Sequence, residues 1–299
     1  MKRLAPSTSP LAGEVAKAAS GRRLEEERRR EASALPQAGR EGGKQQPSAS
    51  DATPLPNPPP QGGREREAAF ILSIIVPVLD EAANIAATLA ALGPFRQRGV
   101  EVIVVDGGSG DDTVERARPL ADRVLTAPRG RAAQMNIGAA AASGDVLLFL
   151  HADTTLPADA DGLLLYGLSN TSRVWGRFDI AIEGRNPLLH VVSGFMNWRS
   201  QITGIATGDQ AMFVTREAFA AAGGFPDIAL MEDLALSARL KRIGRPLCLA
   251  VRARTSGRRW AEHGVIRIIL LMWRLRLAYA LGAKPATLAR RYGYAPRKN

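Results

Sequence analysis

From Phe70 onward the chain is built of unbroken apolar runs that end in acidic or glycine-rich turns, separated by stretches of helical spacing. FILSIIVPVLDE lacks polar alternation, which predicts a strand buried on both faces. VEVIVVDGGSGD predicts a second, closing on Asp106, RVLTA a short third, and GDVLLFLHADT a fourth that again ends on an acid. The intervening EAANIAATLAALG, DDTVERARPLA and RGRAAQMNIGAAAASG read as helices, the first and last closed by glycine. The order β-α-β-α-β-α-β predicts an α/β fold, a mainly parallel sheet flanked by helices on both faces. Ligands of such sheets bind beyond the carboxyl ends of the strands.

The second half is more mixed. RVWGRFDIAI reads as a strand, PLLHVVSGFMNWRSQI as a helix ending near Gly204, and GDQAMFVTREAFAAAGGF as strand, turn and helix. MEDLALSARLKRIG predicts an amphipathic helix with a glycine stop, followed by a strand, PLCLAV. Residues 265–281, VIRIILLMWRLRLAYAL, form a C-terminal amphipathic helix in which Arg267 and Arg274 share a stripe and Arg276 lies opposite. Seventeen residues are short for a bilayer, and three arginines at its centre would cost about 7.5–10 kcal/mol. Lying in the membrane interface is cheaper and gains from anionic lipid. The bland alternative is a helix docked on the protein's own core.

Before Phe70 the pattern fails. Residues 1–69 contain PLPNPPPQGGRERE and RRLEEERRR and no aromatic residue, the composition of a disordered low-complexity extension. The expected organisation is therefore extension 1–69, folded α/β domain 70–260 and basic helical segment 261–299. Among 299 residues, 45% hydrophobic and 23% charged, there is one cysteine, Cys248, which excludes an internal disulfide and fits a reducing, cytoplasmic compartment. One cysteine and three histidines also exclude a Cys/His zinc cage. The net charge of +11 is uneven: residues 70–240 carry 13 basic and 19 acidic side chains, residues 241–299 carry 15 and 1. Such a tail fits an anionic partner, a lipid surface or a phosphorylated substrate, better than nucleic acid, for which no binding module or aromatic-lined sheet is visible.

Several residues at the predicted strand ends could carry chemistry. Asp106, followed by Gly107, Gly108, Ser109 and Gly110, could accept a hydrogen bond from a base or ribose, or simply close its own turn. Asp153, in His151-Ala152-Asp153, could hold a divalent ion through a diphosphate, although a lone aspartate at a strand end is commonly a cap. Glu232 and Asp233 open a helix, where acids are favoured by the dipole and could also aim a general base into the crevice. Arg129, Arg131 and Asn136 begin the helix before the fourth strand, a plausible anion site. Arg258, Arg259 and Trp260, after the last strand, combine bidentate donors with a stacking face.

The motifs SIIVPVLDEAANI, VVDGGSGDDT, RGRAAQMNIGA, GDVLLFLHADT, GDQAMFVTREAF, GGFPDIALMEDLALSARL and SGRRW occur in an order that resembles the family 2 glycosyltransferases of GT-A (nucleotide-diphospho-sugar transferase) fold. More narrowly, they are similar to the bacterial branch often found beside radical-SAM or selenium-related genes. The resemblance spans about residues 71–295. It implies an inverting, non-processive transfer from a nucleotide-diphosphate sugar, assisted by Mg2+ or Mn2+, to an acceptor that is a lipid or a small metabolite. It places Pro77, Glu81, Asp106, Arg131 and Asp153 around the nucleotide sugar, with Asp153 as the metal ligand. Asp233 becomes the base, with Glu232 and Arg259 beside it, and Gly208, Asp209, Gln210 and Trp260 shape the acceptor side. His151 stands where the family has the first acid of Asp-x-Asp, Ser256 replaces the Gln of Gln-x-x-Arg-Trp, and Leu79-Asp80 replace the commoner Tyr-Asn. Two other readings compete. A nucleotidyltransferase would want a glycine-rich basic loop after the first strand, where PVLDEAAN is acidic. An inactive, membrane-tethered binding module is motivated by His151 but not by the retained Asp153, Asp233 and Arg259.

Overall fold

A computed structural model describes residues 70–294 of the chain. The disordered extension expected over 1–69 lies outside the described residues.

The apolar runs form the strands they predict: β1 Leu72–Val78, β2 Glu101–Asp106, β3 Arg123–Thr126 and β4 Val146–Phe149. They pair in parallel in the order β3-β2-β1-β4, with Val78 opposite Asp106 and Ile75 opposite Phe149, so their carboxyl ends share one edge. Alternate residues feed two cores. Ile74, Val76, Val104 and Leu148 face one side, and Ile75, Val105, Leu147 and Phe149 the other. Both sides are covered, which is why these strands show no polar alternation.

The sheet then ceases to be parallel. β5 (Thr154–Thr155), β6 (Trp175–Glu183), β7 (Phe213–Thr215) and β8 (Leu247–Ser256) extend it as β4-β7-β6-β8-β5. β7 runs antiparallel to β4 and β6, while β6 and β8 are parallel. β8 is longer than PLCLAV suggests, because it pairs along β6 past an irregularity at Phe178/Asp179 and then receives β5.

The first two helices are α1 (Ile85–Ala91) and α2 (Gly93–Gln97). The glycine expected to close α1 instead opens α2, where Pro94 occupies the first turn and donates no amide. α3 (Thr113–Ala117) stops short of Pro119. α4 (Arg131–Ala141) does not end on a glycine either. Its last carbonyls are taken by the Arg216 guanidinium, which donates to Ala142 at 2.7 Å and Ala139 at 3.3 Å. α5 (Ala160–Ser169) has no counterpart among the expected elements; its apolar residues face both core and solvent, with Tyr166 exposed, which blurs its periodicity.

α6 (Leu188–Thr203) ends at Gly204 in the left-handed conformation, as expected. α7 (Arg216–Ala221) and α8 (Glu232–Ile243) follow. The C-terminal segment comprises α9 (Arg258–His263), α10 (Val265–Ala280) and α11 (Pro285–Tyr292). It packs onto what precedes it: Val265 joins Ile180, Ile182 and Leu189, and Leu275 and Leu288 join Leu230 and Met231. α10 thus docks on the core by one face, while Arg267 and Arg274 stay exposed. None of the described helices is long and apolar enough to cross a membrane.

Candidate active site

Four elements meet beyond the end of β4. The chain leaves β4 into His151, the turn Gly208–Gln210 presents Asp209, the start of α8 presents Glu232 and Asp233, and the start of α4 presents Arg131. Local bonds hold these pieces in place. Ser237 of α8 exchanges hydrogen bonds with Ala206 N and O at 3.1 and 3.2 Å, fixing α8 against the segment that leads to Asp209. Asn136 grips the main chain of Phe225 in both directions, at 2.8 and 3.0 Å, and so anchors the loop before Glu232. Gln134, fully inside, donates to Val78 O at 2.7 Å and Val105 O at 2.9 Å and ties the ends of β1 and β2 together. Met231, immediately before the acidic pair, has φ +70°, and Ala211, just after the Gly208–Gln210 turn, has φ +45°. Left-handed conformations at such residues cost roughly 1–2 kcal/mol each and cluster at functional sites.

The acidic pair splits into two environments. Glu232 is buried and bridges Arg131 at 2.9 Å, leaving its Oε2 without a partner. Burial holds its pKa above the ordinary carboxylate range, with Asp233 adding to the effect and Arg131 opposing it. Arg131 keeps 37% of its side chain in solvent, and its pKa is raised chiefly by Glu232, with Asp233, Tyr292 and Asp209 contributing. Asp233 is only partly buried. Its Oδ2 accepts from Gly208 N at 2.8 Å and its Oδ1 from Leu234 N at 2.8 Å.

His151 Nδ1 lies 3.2 Å from Asp209 Oδ1. Burial disfavours the charged ring, but the hydrogen bond and charge of Asp209, with help from Asp153, outweigh it and raise the His151 pKa. Burial likewise works against the Asp209 carboxylate, yet His151, Arg131 and Arg276 bring its pKa below the ordinary value. The His151 ring lies against Gly208, where any Cβ would collide with it. Gln210 is fully buried, its side-chain oxygen accepting from Thr207 N at 3.2 Å, so it shapes the turn from beneath.

Other candidate residues fall around this centre. Pro77 is buried opposite Val105 near the end of β1. Asp106, at the end of β2, is buried and capped by its own turn, accepting from Gly108 N at 2.9 Å and Ser109 Oγ at 2.5 Å. The turn-closing reading of that aspartate is thereby realised. Asp80 and Asp111 also serve loops: Gly110 N donates to Asp80 and Ala82 N to Asp111. Glu81 accepts from Asn84 at 2.8 Å and faces Arg258 at 4.0 Å. Arg259 stacks 3.7 Å above the Tyr292 ring and donates to Tyr292 O at 2.7 Å. Tyr292 thereby closes over Arg259, with Arg131, Asp209 and Asp233 in electrostatic reach. Trp260 packs beside Ile180, Ile182 and Leu189, and lines a separate cavity of about 560 Å³ with Glu183 and Arg258.

Among the described residues, no group of three or more His, Cys, Asp or Glu side chains is placed to hold a metal ion alone. Asp153 is half-buried, and its carboxylate receives only a long 3.4 Å hydrogen bond from Thr154. A single, little-engaged carboxylate suits a hard cation that keeps its waters and shares a substrate diphosphate, so the residues present fit such an ion.

Sequence reasoning missed Gln134, Tyr292, Arg199 and Arg276 as contributors to this region. A glutamine inside a helix and a tyrosine near the terminus carry no local signal; only contacts across the fold reveal them.

A family model described as glycosyl transferase family 2 matches residues 73–220. No curated protein matches the chain in sequence. Among solved structures, the chain is similar to S. aureus TarS 1–349 in complex with UDP-GlcNAc, with TM-score 0.52 and 17% identity over 62% of this chain and 58% of that one. It is also similar to mannosyltransferase PcManGT from Pyrobaculum calidifontis in complex with GDP-Man and Mn2+, with TM-score 0.51 and 21% identity over 77% of this chain and 67% of that one. The chain spans about three-fifths of the length of the TarS 1–349 structures and 36% of the longer TarS structure. At these identities the likeness is one of fold: the curled α/β sheet with flanking helices is the GT-A arrangement.

Proposed function

For a chain that belongs to the family 2 glycosyltransferases, we propose that the cluster beyond β4 transfers a sugar from a nucleoside-diphosphate donor to an acceptor hydroxyl, with inversion at the anomeric carbon. Pro77, Glu81 and Arg131 border the donor. Asp106 shapes the nucleotide side by fixing its glycine turn. A divalent ion, Mg2+ or Mn2+, would be held by Asp153 together with the donor's diphosphate, and it would supply charge neutralisation for the leaving group.

Asp233 takes the acceptor proton. Its carboxylate is oriented by the amides of Gly208 and Leu234 and is open enough to reach a substrate, whereas Glu232 is buried against Arg131. The new bond joins the acceptor oxygen to the anomeric carbon from the face opposite the diphosphate, the bond to the diphosphate oxygen breaks, and the proton ends on Asp233. Arg131, bridged to Glu232, and Arg259, stacked on Tyr292, stabilise the departing negative charge. Glu232 positions Arg131. The observation that most supports this reading is the convergence of Asp209, Asp233 and Arg131 from three distant segments around Gly208 and His151.

The test is donor turnover by purified protein with UDP-GlcNAc and GDP-mannose, with and without Mn2+. Asp233→Asn is expected to lower turnover by about 10²–10⁴-fold, the usual contribution of a general base, with nucleotide binding by calorimetry retained. Normal turnover by that variant would remove Asp233 from the role.

A further inference from the structure

α6 and α10 each leave an apolar stripe in solvent. On α6 it is Val191, Phe195, Trp198 and Ile202; on α10 it is Ile266, Leu270, Trp273 and Leu277. These are large side chains, several more than half exposed: Val191 67%, Trp273 59%, Leu277 62%. The stripes meet where Phe195 and Trp273 stand 6.3 Å apart between ring centroids. Contiguous exposed apolar surface of this kind marks a binding or membrane face.

Between the helices runs a groove of about 730 Å³, lined by Phe195, Leu270, Trp273 and Leu277 together with Arg199, Arg274 and Arg276. No carboxylate lines it. Arg199 Nε and one of its terminal nitrogens, and Arg276 Nε, are buried without a hydrogen-bond partner. Leaving charged donors unpaired in this way costs free energy that an anion would recover. The α6 side is fixed by Asn197, whose amide grips Ile180 N and O at 2.9 and 3.0 Å. Desolvation lowers the Arg199 pKa to about 10, with Arg276 adding repulsion and Asp233 opposing it. Burial also lowers the Arg276 pKa, with Asp233 and Asp209 opposing the shift. Arg199 and Arg276 thus stand within electrostatic reach of the acidic cluster, and the groove they line opens onto apolar surface.

We propose that this groove holds the acceptor, and that the acceptor is a membrane phospholipid whose headgroup carries an anionic phosphodiester and a free hydroxyl. The phosphodiester sits on Arg199 and Arg276, the hydroxyl points to Asp233, and the acyl chains stay in the bilayer against Trp198, Trp273 and Leu277. Charge complementarity selects this occupant. A second protein copy would cover the apolar stripes but supply no anion to the unpartnered nitrogens of Arg199 and Arg276. The exposed Arg267 and Arg274 add attraction to an anionic surface. The proposal rests on the glycosyltransferase reading above and deepens it.

The test uses full-length protein, radiolabelled UDP-GlcNAc or GDP-mannose, and vesicles of phosphatidylcholine with or without phosphatidylglycerol. Label is expected to enter the lipid phase only with phosphatidylglycerol. Arg199→Gln and Arg276→Gln are each expected to lower it by about tenfold or more, the value of a charged hydrogen bond. The exposed Trp273→Glu is expected to abolish vesicle co-sedimentation, with an unchanged Tm confirming that each variant folds. Four results overturn the proposal: equal transfer to water-soluble glycerophosphoglycerol, preference for a lipid phosphate monoester, a groove-covering dimer without vesicle binding, or undiminished labelling by the arginine variants. Donor turnover without lipid labelling sinks this inference alone, while absence of turnover with either donor sinks the glycosyltransferase reading with it.

Discussion

At the scale of single residues, the acidic dipeptide Glu232-Asp233 shows how one turn of helix assigns two roles. Position on α8 buries the first against Arg131 and leaves the second open toward Gly208. Glu232→Ala removes the buried member of that pair. The cost is expected to be about 1–3 kcal/mol in urea unfolding, less than for a wholly buried pair, because Arg131 keeps 37% of its side chain in water. His151 and Asp209 give a pH signature. Asp209 is more acidic than usual, so its contribution is complete above the unfolded aspartate value, about 3.9, and fades as pH falls through its lower folded value. His151 is more basic than usual, so its contribution is complete below about 6.5 and fades as pH rises through its higher folded value. The Tm advantage of the parent over His151→Asn is therefore expected to be greatest near about pH 5 and to shrink in alkaline buffer. An advantage that instead grows with pH would contradict the pairing.

At the scale of elements, strands were legible because burial on both faces writes itself as an apolar run. Helix ends were less legible. α4 closes on the guanidinium of Arg216, and no local residue near Ala141 announces that. The same holds for Gln134, whose amide joins β1 to β2 from the middle of α4. Gln134→Ala is expected to cost about 1–2 kcal/mol, for two net hydrogen bonds, and to weaken nucleotide binding by loosening both strand ends. Unchanged urea midpoint and unchanged nucleotide affinity together would show that the tie is unimportant. Asp80 and Asp106 teach the converse: acids near strand ends that look chemical in sequence are engaged by loop amides, Asp106 by its own turn and Asp80 by Gly110.

At the scale of the whole molecule, the C-terminal helices connect the site to the surface. α11 seats Leu288 among Leu230, Met231 and Leu275 and brings Tyr292 over Arg259. Leu288→Ala is expected to cost roughly 2–5 kcal/mol, as for other leucines buried to completion. It is also expected to lower donor turnover at temperatures where the protein remains folded, since the displaced helix releases Arg259. A destabilised variant with full turnover would separate α11 from the site. α10 realises the docked reading that the sequence offered beside a membrane-interfacial one. It docks on the core through Val265, Ile268 and Leu275, and it presents an apolar face outward through Ile266, Leu270 and Trp273.

The sequence alone determined the central parallel strands, their order along the chain and the acids at their ends, because those follow from local rules of burial and turn chemistry. Ordered motifs also pointed to the family, since each reflects a local backbone need. Tertiary structure alone decided which acids are spent on loops and which face the cleft. It paired His151 with Asp209 and Glu232 with Arg131, and it turned Arg276 inward while Arg274 stayed in solvent. The reason is physical: charge interactions and desolvation act through space over a few ångströms, between residues that the chain keeps dozens of positions apart.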